Sequence, residues 1–353
     1  MFDFFPIRNS LTDQTSDIES LFEELYDVKI SLKSDTFVGL NLFWPAWDLP
    51  QNCRQYLISF HTEYIHLTWV LEQAKKVYPK KIIVISDFDV KLHPAWPDNI
   101  VWLQQRTIHK QLALSVSHHG YCNQPTLPRY KFSSLCFRVD QYKLFVTAFL
   151  LKHVPRDDMI LTYHDKKLGP WPDDIAIEDL DLNLSAEFVN FNDNFNKLKN
   201  YPIANTRWAM PPFQDALVNL TNESIAASER ILDSHLINLP GPYLTEKTFK
   251  PLLSARPFIA VGQFEILKEL QQVGFDTNFG LPNDYDADSN NATRIKKIFN
   301  AIQYANSCKI QDLFDASYDA VVHNANHVIS GSLHEQCNYL NKAHREFLIS
   351  ILE

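Results

Sequence analysis

The chain predicts an α/β protein of two Rossmann-like domains, each built on a parallel sheet. Three observations lead there. Short β-branched runs alternate with stretches of helical periodicity. Runs such as Lys81-Ile-Ile-Val-Ile-Ser86 are apolar at successive positions, as in strands covered on both faces. And 353 residues suffice for two domains with a core apiece.

Residues 1–35 set Ile18, Leu21, Phe22 and Leu25 at helical spacing and predict a helix. Phe37–Phe43 and Tyr56–Phe60 then read as strands, Leu67–Val77 as a helix, and Lys81–Ser86 and Ile100–Leu103 as further strands. Residues 118–128, with Gly120, Pro125 and Pro128, read as a linker closing an N-terminal domain of residues 1–128. The second domain, 129–330, opens with a strand at Phe132–Phe137, a helix at Gln141–His153 and a strand at Met159–Tyr163. Residues 165–212 break the rhythm: acidic and asparagine-rich, bounded by Gly169-Pro-Trp-Pro172 and Pro211-Pro212, they read as an insertion. Alternation resumes at Ala216–Leu220 and continues through a helix after Thr245, a strand at Phe258–Val261 and helices at Phe264–Val273 and Arg294–Asn306. A C-terminal helix in 331–353 is expected to pack back on the first domain.

Composition narrows the function. Hydrophobic residues at 45% and charged residues at 21% are ordinary for a globular protein. A formal charge of −9 argues against a broad nucleic-acid-binding surface. The five cysteines form no C-x-x-C pair, which favours reduced thiols over disulfides or zinc. An early acid and a short apolar run at the start predict no signal peptide, and no run approaches the roughly 18 apolar residues of a membrane span. The expected location is therefore the cytoplasm (that of the host cell if the protein is viral), and the sequons at Asn183, Asn219, Asn222 and Asn291 carry no meaning. Only 8 glycines occur, with no G-x-G-x-x-G and no G-x-x-x-x-G-K-[ST]. That sets aside dinucleotide oxidoreductases and P-loop enzymes.

One segment stands out: Tyr243-Leu-Thr-Glu-Lys-Thr-Phe-Lys-Pro-Leu-Leu-Ser-Ala-Arg-Pro-Phe-Ile-Ala-Val-Gly262. Thr245 suits an N-cap, with Glu246 and Lys247 in the first helical turn. Phe249, Leu252 and Leu253 share one face, and Pro257 opens a buried strand. Free N–H groups and partial positive charge at a helix start, beside a lysine, suit a diphosphate. A glutamate beside them repels phosphate and suits ribose hydroxyls. The plain alternative is a Glu246–Lys250 pair worth roughly 0.3 kcal/mol. Pro251, which costs a helix interior roughly 3 kcal/mol, is not explained by local stability.

Tyr-x-Thr-Glu-Lys, an apolar helix and a strand ending in Val-Gly resemble the donor-binding core of the α-1,3-fucosyltransferases, which have the GT-B fold. The chain more closely resembles a set of glycosyltransferase-like proteins, many from phages and large viruses. In these, Thr-Glu-Lys-Thr-Phe-Lys-Pro recurs with a downstream Gly-Phe and acidic Tyr-Asp, here Gly274-Phe275 and Asp284-Tyr285-Asp286. The resemblance spans roughly residues 130–290 and implies two domains whose sheets face a cleft. It implies that Glu246 holds the ribose, Lys247 the diphosphate, Tyr243 the sugar or diphosphate, and Arg138 the donor phosphates, with Thr245 at the helix start. Leu-Thr-Asn-Glu223-Ser falls where fucosyltransferases have Phe-Glu-Asn-Ser, so Glu223 joins the donor set with acid and amide out of register.

The implied reaction is inverting transfer from a nucleotide-diphosphate sugar, with cationic side chains rather than a metal stabilising the leaving group and no resident cofactor. The acceptor is a hydroxymethylated pyrimidine in phage-type DNA, or a glycan. The DNA reading needs a basic strip, for which Lys75, Lys76, Lys80, Lys81, Arg106 and Lys110 are candidates. An inverting enzyme also needs a base for the acceptor hydroxyl. Glu63, just past the strand Tyr56–Phe60, and its neighbour His61 are the candidates. Two rivals remain. Asp87-Phe-Asp89 after a good strand would suit a metal-dependent glycosyltransferase, and a catalytically silent sugar-nucleotide or glycan-binding protein could keep the same fold. His118-His119 lacks a third metal ligand at a telling spacing.

Overall fold

A computed structural model of the chain describes residues 36–42, 48–60, 67–86, 96–104, 125–136, 141–163, 211–223, 242, 244–330 and 346. The chain divides into two compact units: Met1–Lys110 with Glu229–Gly241 and Glu335–Glu353, and Gln111–Ser228 with Pro242–His334. The helix expected in 1–35 and most of the insertion at 165–212 lie outside the described residues, as does the C-terminal helix apart from Glu346.

In the first unit β1 (Thr36–Leu42), β2 (Gln55–Phe60), α1 (Leu67–Val77), β3 (Lys81–Ser86) and β4 (Ile100–Gln104) follow in order. The strands pair in parallel in the order β1-β2-β3-β4. Ile82, Ile83, Val84 and Ile85 are all buried, so β3 is covered on both faces. Val70, Ala74 and Val77 give α1 its buried stripe at i, i+4, i+7. Beyond its last turn Asn99 Nδ2 donates to the carbonyl of Ala74 (3.1 Å), one that the helix end leaves open, and to that of Lys80 (2.8 Å) in the turn after it.

The second unit holds β5 (Tyr130–Cys136), α2 (Gln141–His153), β6 (Met159–Tyr163), α3 (Pro211–Gln214), β7 (Ala216–Asn222), α4 (Glu246–Leu253), β8 (Phe258–Val261), α5 (Ile266–Gln272), α6 (Asn291–Ser307) and α7 (Ile310–Ile329). Its sheet is parallel throughout, in the order β6-β5-β7-β8. The chain winds from β5 outward to β6, then returns to lay β7 on the other side of β5 and continues to β8. Right-handed crossovers in opposite directions put α2 and α4 on opposite faces. Phe149 of α2 stacks on Phe299 of α6 at 4.1 Å, so α6 shares the face of α2. On the other face Phe249 of α4 meets Phe275, whose ring stands edge-on to His327 of α7.

The predicted buried face of α4 is present: Phe249, Leu252 and Leu253 are inside, and Pro251 lies within the helix. So is the strand after Pro257, every residue of which is buried. Asn219, Asn222 and Asn291 are buried as well, which leaves those three sequons inaccessible to a glycan. One long element is absent from the sequence reading: α7, twenty residues long.

Candidate functional site

The winding of the second sheet creates a topological switch point between β5 and β7. At such a point the connections diverge to opposite faces and leave a crevice outside the carboxyl ends of the two strands, where open α/β sheets bind ligands. In the first unit the described strands run β1 to β4 without a reversal. The switch point therefore places the candidate site at the ends of β5 and β7 and at the start of α4.

Glu223 follows the last residue of β7 and is fully buried. Its backbone N–H donates to Val261 O at 2.9 Å, extending the β7–β8 ladder. Strand alternation turns its side chain toward α4, and both carboxylate oxygens are engaged there. Oε1 accepts the backbone N–H of Thr245 (3.3 Å) and of Thr248 (3.1 Å) and the Thr248 hydroxyl; Oε2 accepts the Thr245 hydroxyl at 2.5 Å. Thr245 is the predicted N-cap, its oxygen accepting the Lys247 N–H at 3.3 Å. The Lys247 ammonium also donates to that oxygen, at 3.2 Å.

This changes the physics expected of the helix start. Of the amides a helix leaves open at its N-terminus, those of Thr245, Lys247 and Thr248 are taken by the chain itself. A carboxylate already stands at the positive end of the α4 dipole, an arrangement worth about 0.3–2 kcal/mol. The free N–H groups assumed for a diphosphate are thus not available at these three positions. The Lys247 side chain is half-buried in the first turn of α4. Glu223 and Thr245 stand behind the helix start with their polar atoms turned inward.

Gly262, at the end of β8, makes this packing possible: a Cβ there would lie 3.2 Å from Glu223 Cβ. Buried Arg294 of α6 holds the same turn, donating from Nε to Gly262 O (3.1 Å), from Nη1 to Asp288 O (3.0 Å) and from Nη2 to Asn291 Oδ1 (2.5 Å). The Gly-Phe and Tyr-Asp elements are part of this scaffold. Gly274, at φ 88°, ends α5, and the Phe275 N–H reaches back to Leu270 O. Tyr285 Oη accepts the N–H of Ala260 on β8. The Asp286 carboxylate accepts the N–H groups of Leu267 (2.9 Å) and Lys268 (3.1 Å) at the start of α5. Burial raises the Asp286 carboxyl above the usual range, and those amides oppose the shift. Asp284 and Asp288 both pair with Lys297. Among the described residues no group of three or more His, Cys, Asp or Glu could hold a metal ion.

Two buried polar residues near the switch point are not among the site residues that the sequence points to. Asn222 ends β7 on the face opposite Glu223, its Nδ2 donating to Ser134 of β5 at 2.8 Å. Its Oδ1 is buried with no hydrogen-bond partner among the described residues, an unusual cost inside a protein. Lys143, in the first turn of α2, is 4% exposed. The signal for the first was a polar residue at the end of an apolar strand; for Lys143 it was a lysine that opens a helix buried along residues 143–150.

Of the residues the sequence singled out, the structure brings Thr245, Lys247 and Glu223 together. Glu246 opens α4, but its side chain lies outside what is described. Arg138, two positions beyond the end of β5, and Tyr243 are outside the described residues, as are Glu63, His61, Asp87, Asp89, His118 and His119. In comparisons with known proteins, the chain matches no family model and no curated protein.

Proposed function

We propose that the protein is a glycosyltransferase of the GT-B type that uses a nucleotide-diphosphate sugar, with the donor held by the second unit. One juxtaposition supports this most: the Thr245-Glu246-Lys247 start of α4 is fastened to the end of β7 beside a topological switch point. Lys247, half-buried in the first turn of α4, supplies a cation at that end of the sheet.

In the proposed reaction the acceptor hydroxyl oxygen attacks the anomeric carbon as the bond to the diphosphate oxygen breaks. The diphosphate leaves with the bonding electron pair, and its growing negative charge is met by Lys247 and Arg138. Glu63 or His61 of the first unit takes the hydroxyl proton. Glu246 and Tyr243 hold the ribose and the sugar. The transfer is inverting and draws on cationic side chains rather than a divalent metal. The acceptor is a hydroxymethylated pyrimidine in DNA or a glycan hydroxyl.

Thermal-shift titration with UDP, GDP, ADP and CMP compounds tests the donor class directly. A rise in melting temperature with one base, followed by slow release of nucleotide from its sugar conjugate, supports a transferase. Binding without any release identifies a silent binder, and no shift with any nucleotide removes the proposal.

A further inference from the structure

The start of α4 has the form of an anion site whose anion belongs to the chain. Glu223 is too deeply buried to meet a ligand, yet it accepts hydrogen bonds from two backbone amides and two hydroxyls. A cap needs one oxygen; here both are used, and the second is devoted to the Thr245 hydroxyl. A hydroxyl has one proton and two acceptor lone pairs. With the proton directed to Glu223 Oε2, the oxygen can only accept, and it does so from both the backbone N–H and the ammonium of Lys247.

We infer that Glu223 is a positioning residue for Lys247, acting through the Thr245 hydroxyl. The carboxylate fixes which way the hydroxyl proton points, and the hydroxyl oxygen in turn fixes where the ammonium stands. A lysine is a point charge on a flexible four-carbon stem, so a second anchor near its tip decides where its charge is felt. With three of the helix-start amides engaged internally, an incoming diphosphate at this edge meets the side-chain charge rather than the helix end. The Glu223–Thr245–Lys247 series therefore sets the strength of that contact. This inference rests on the proposed role of Lys247 toward the diphosphate.

The test compares Thr245→Val, which removes the hydroxyl and keeps the shape, with Thr245→Ser, which keeps the hydroxyl. Calorimetric titration uses ADP, GDP, UDP and CDP. Thr245→Val weakens whichever diphosphate binds by about tenfold, the scale of one charge-assisted hydrogen bond, and Thr245→Ser restores it. In a Lys247→Ala background Thr245→Val has no further effect. Glu223→Gln matches Thr245→Val, and the two together are no worse than either alone. A Thr245→Val protein that binds as the wild type does, or losses that add in full to that of Lys247→Ala, would overturn the inference.

A second readout needs no ligand and no Glu223 variant: the rate at which an amine-modifying reagent labels Lys247, followed against pH. Thr245→Val labels several-fold faster than Thr245→Ser; equal rates and equal pH profiles refute the positioning role. Should no diphosphate bind the wild type, the proposed function fails, and the labelling rates alone decide whether Lys247 is held.

Discussion

Glu223 and Gly262, at the ends of neighbouring strands, approach so closely that a Cβ on the glycine would press on the glutamate side chain. A Cβ on Gly262 would stand 3.2 Å from Glu223 Cβ and 3.4 Å from its Cγ, and would overlap the Ile266 δ-methyl. The glycine is required for space and not for a left-handed backbone, which among the described glycines belongs to Gly274 and Gly280. Ile266 meets the added carbon only with the end of its side chain. Glu223 cannot yield, because its carboxylate is fixed by four donors. Gly262→Ala should therefore destabilise the second unit by about 1–3 kcal/mol, the usual cost of overpacking. Urea unfolding should show a lower midpoint with an unchanged slope, and an unchanged midpoint would show the contact to be slack.

Tyr285→Phe isolates a single hydrogen bond. β8 lies at the edge of the described sheet, and its Ala260 N–H is satisfied by the Tyr285 hydroxyl at 3.1 Å. Removing only that oxygen strands a buried backbone donor, which costs about 1–3 kcal/mol. Besides a lower unfolding midpoint, amide exchange at Ala260 should accelerate. A protected Ala260 amide in the variant would mean that another acceptor takes it over.

Much of the second unit could be read from sequence because its signals are local. Thr245 before a charged turn, Phe249, Leu252 and Leu253 on one face, and Pro257 before an apolar run each report on their own neighbourhood. α7 was missed for the converse reason. Its buried stripe runs through Ser317, Asn324 and His327 as well as Leu313, Ala320, Val321 and Val328, so polar residues interrupt the apolar period. Asn324 is inside because its side-chain amide both accepts the N–H and donates to the O of Asp276, a pairing 48 residues apart that no local pattern announces. Separations of 22 and 25 residues likewise hid the partners of Glu223. Its residue type was conspicuous, but its turn toward Thr245 and Thr248 depends on how β7 and α4 meet. The acidic Tyr-Asp element carries the resemblance in sequence, and what it does shows only in the fold: Tyr285 braces β8 and Asp286 the start of α5.

The end of α5 carries a pH-dependent contribution to stability. His327 Nε2–H donates to Val273 O at 2.7 Å and His323 Nε2–H to Gly274 O at 2.9 Å, the two rings stacked 6.1 Å apart. Burial lowers the basicity of His327 below the ordinary 6.5, and His323 lowers it further against the opposing pull of the Val273 carbonyl. The folded state then binds fewer protons than the unfolded chain, so this contribution is present above about pH 6.5 and is lost as the pH falls toward the lower folded value. Unfolding midpoints at about pH 7.5 and about pH 5 should differ more in the wild type than in His327→Gln, which keeps a donor for Val273 but does not titrate. Equal differences in the two proteins would place the pH dependence elsewhere.

Lys247→Ala separates function from fold at the one cation of the Thr-Glu-Lys start that the structure describes. Alanine keeps the backbone holds of the helix start: Thr245 caps the Lys247 backbone N–H, and Glu223 holds Thr245 and Thr248. Alanine is also the better helix former, so stability should change by no more than about 0.5 kcal/mol. Nucleotide binding should behave differently. A contact between an ammonium and a diphosphate is charge-assisted on both sides, and its loss should weaken affinity by at least about tenfold. Calorimetry on a variant whose unfolding midpoint matches the wild type gives the answer. Undiminished affinity there would move the diphosphate away from the start of α4 and overturn the role proposed for Lys247.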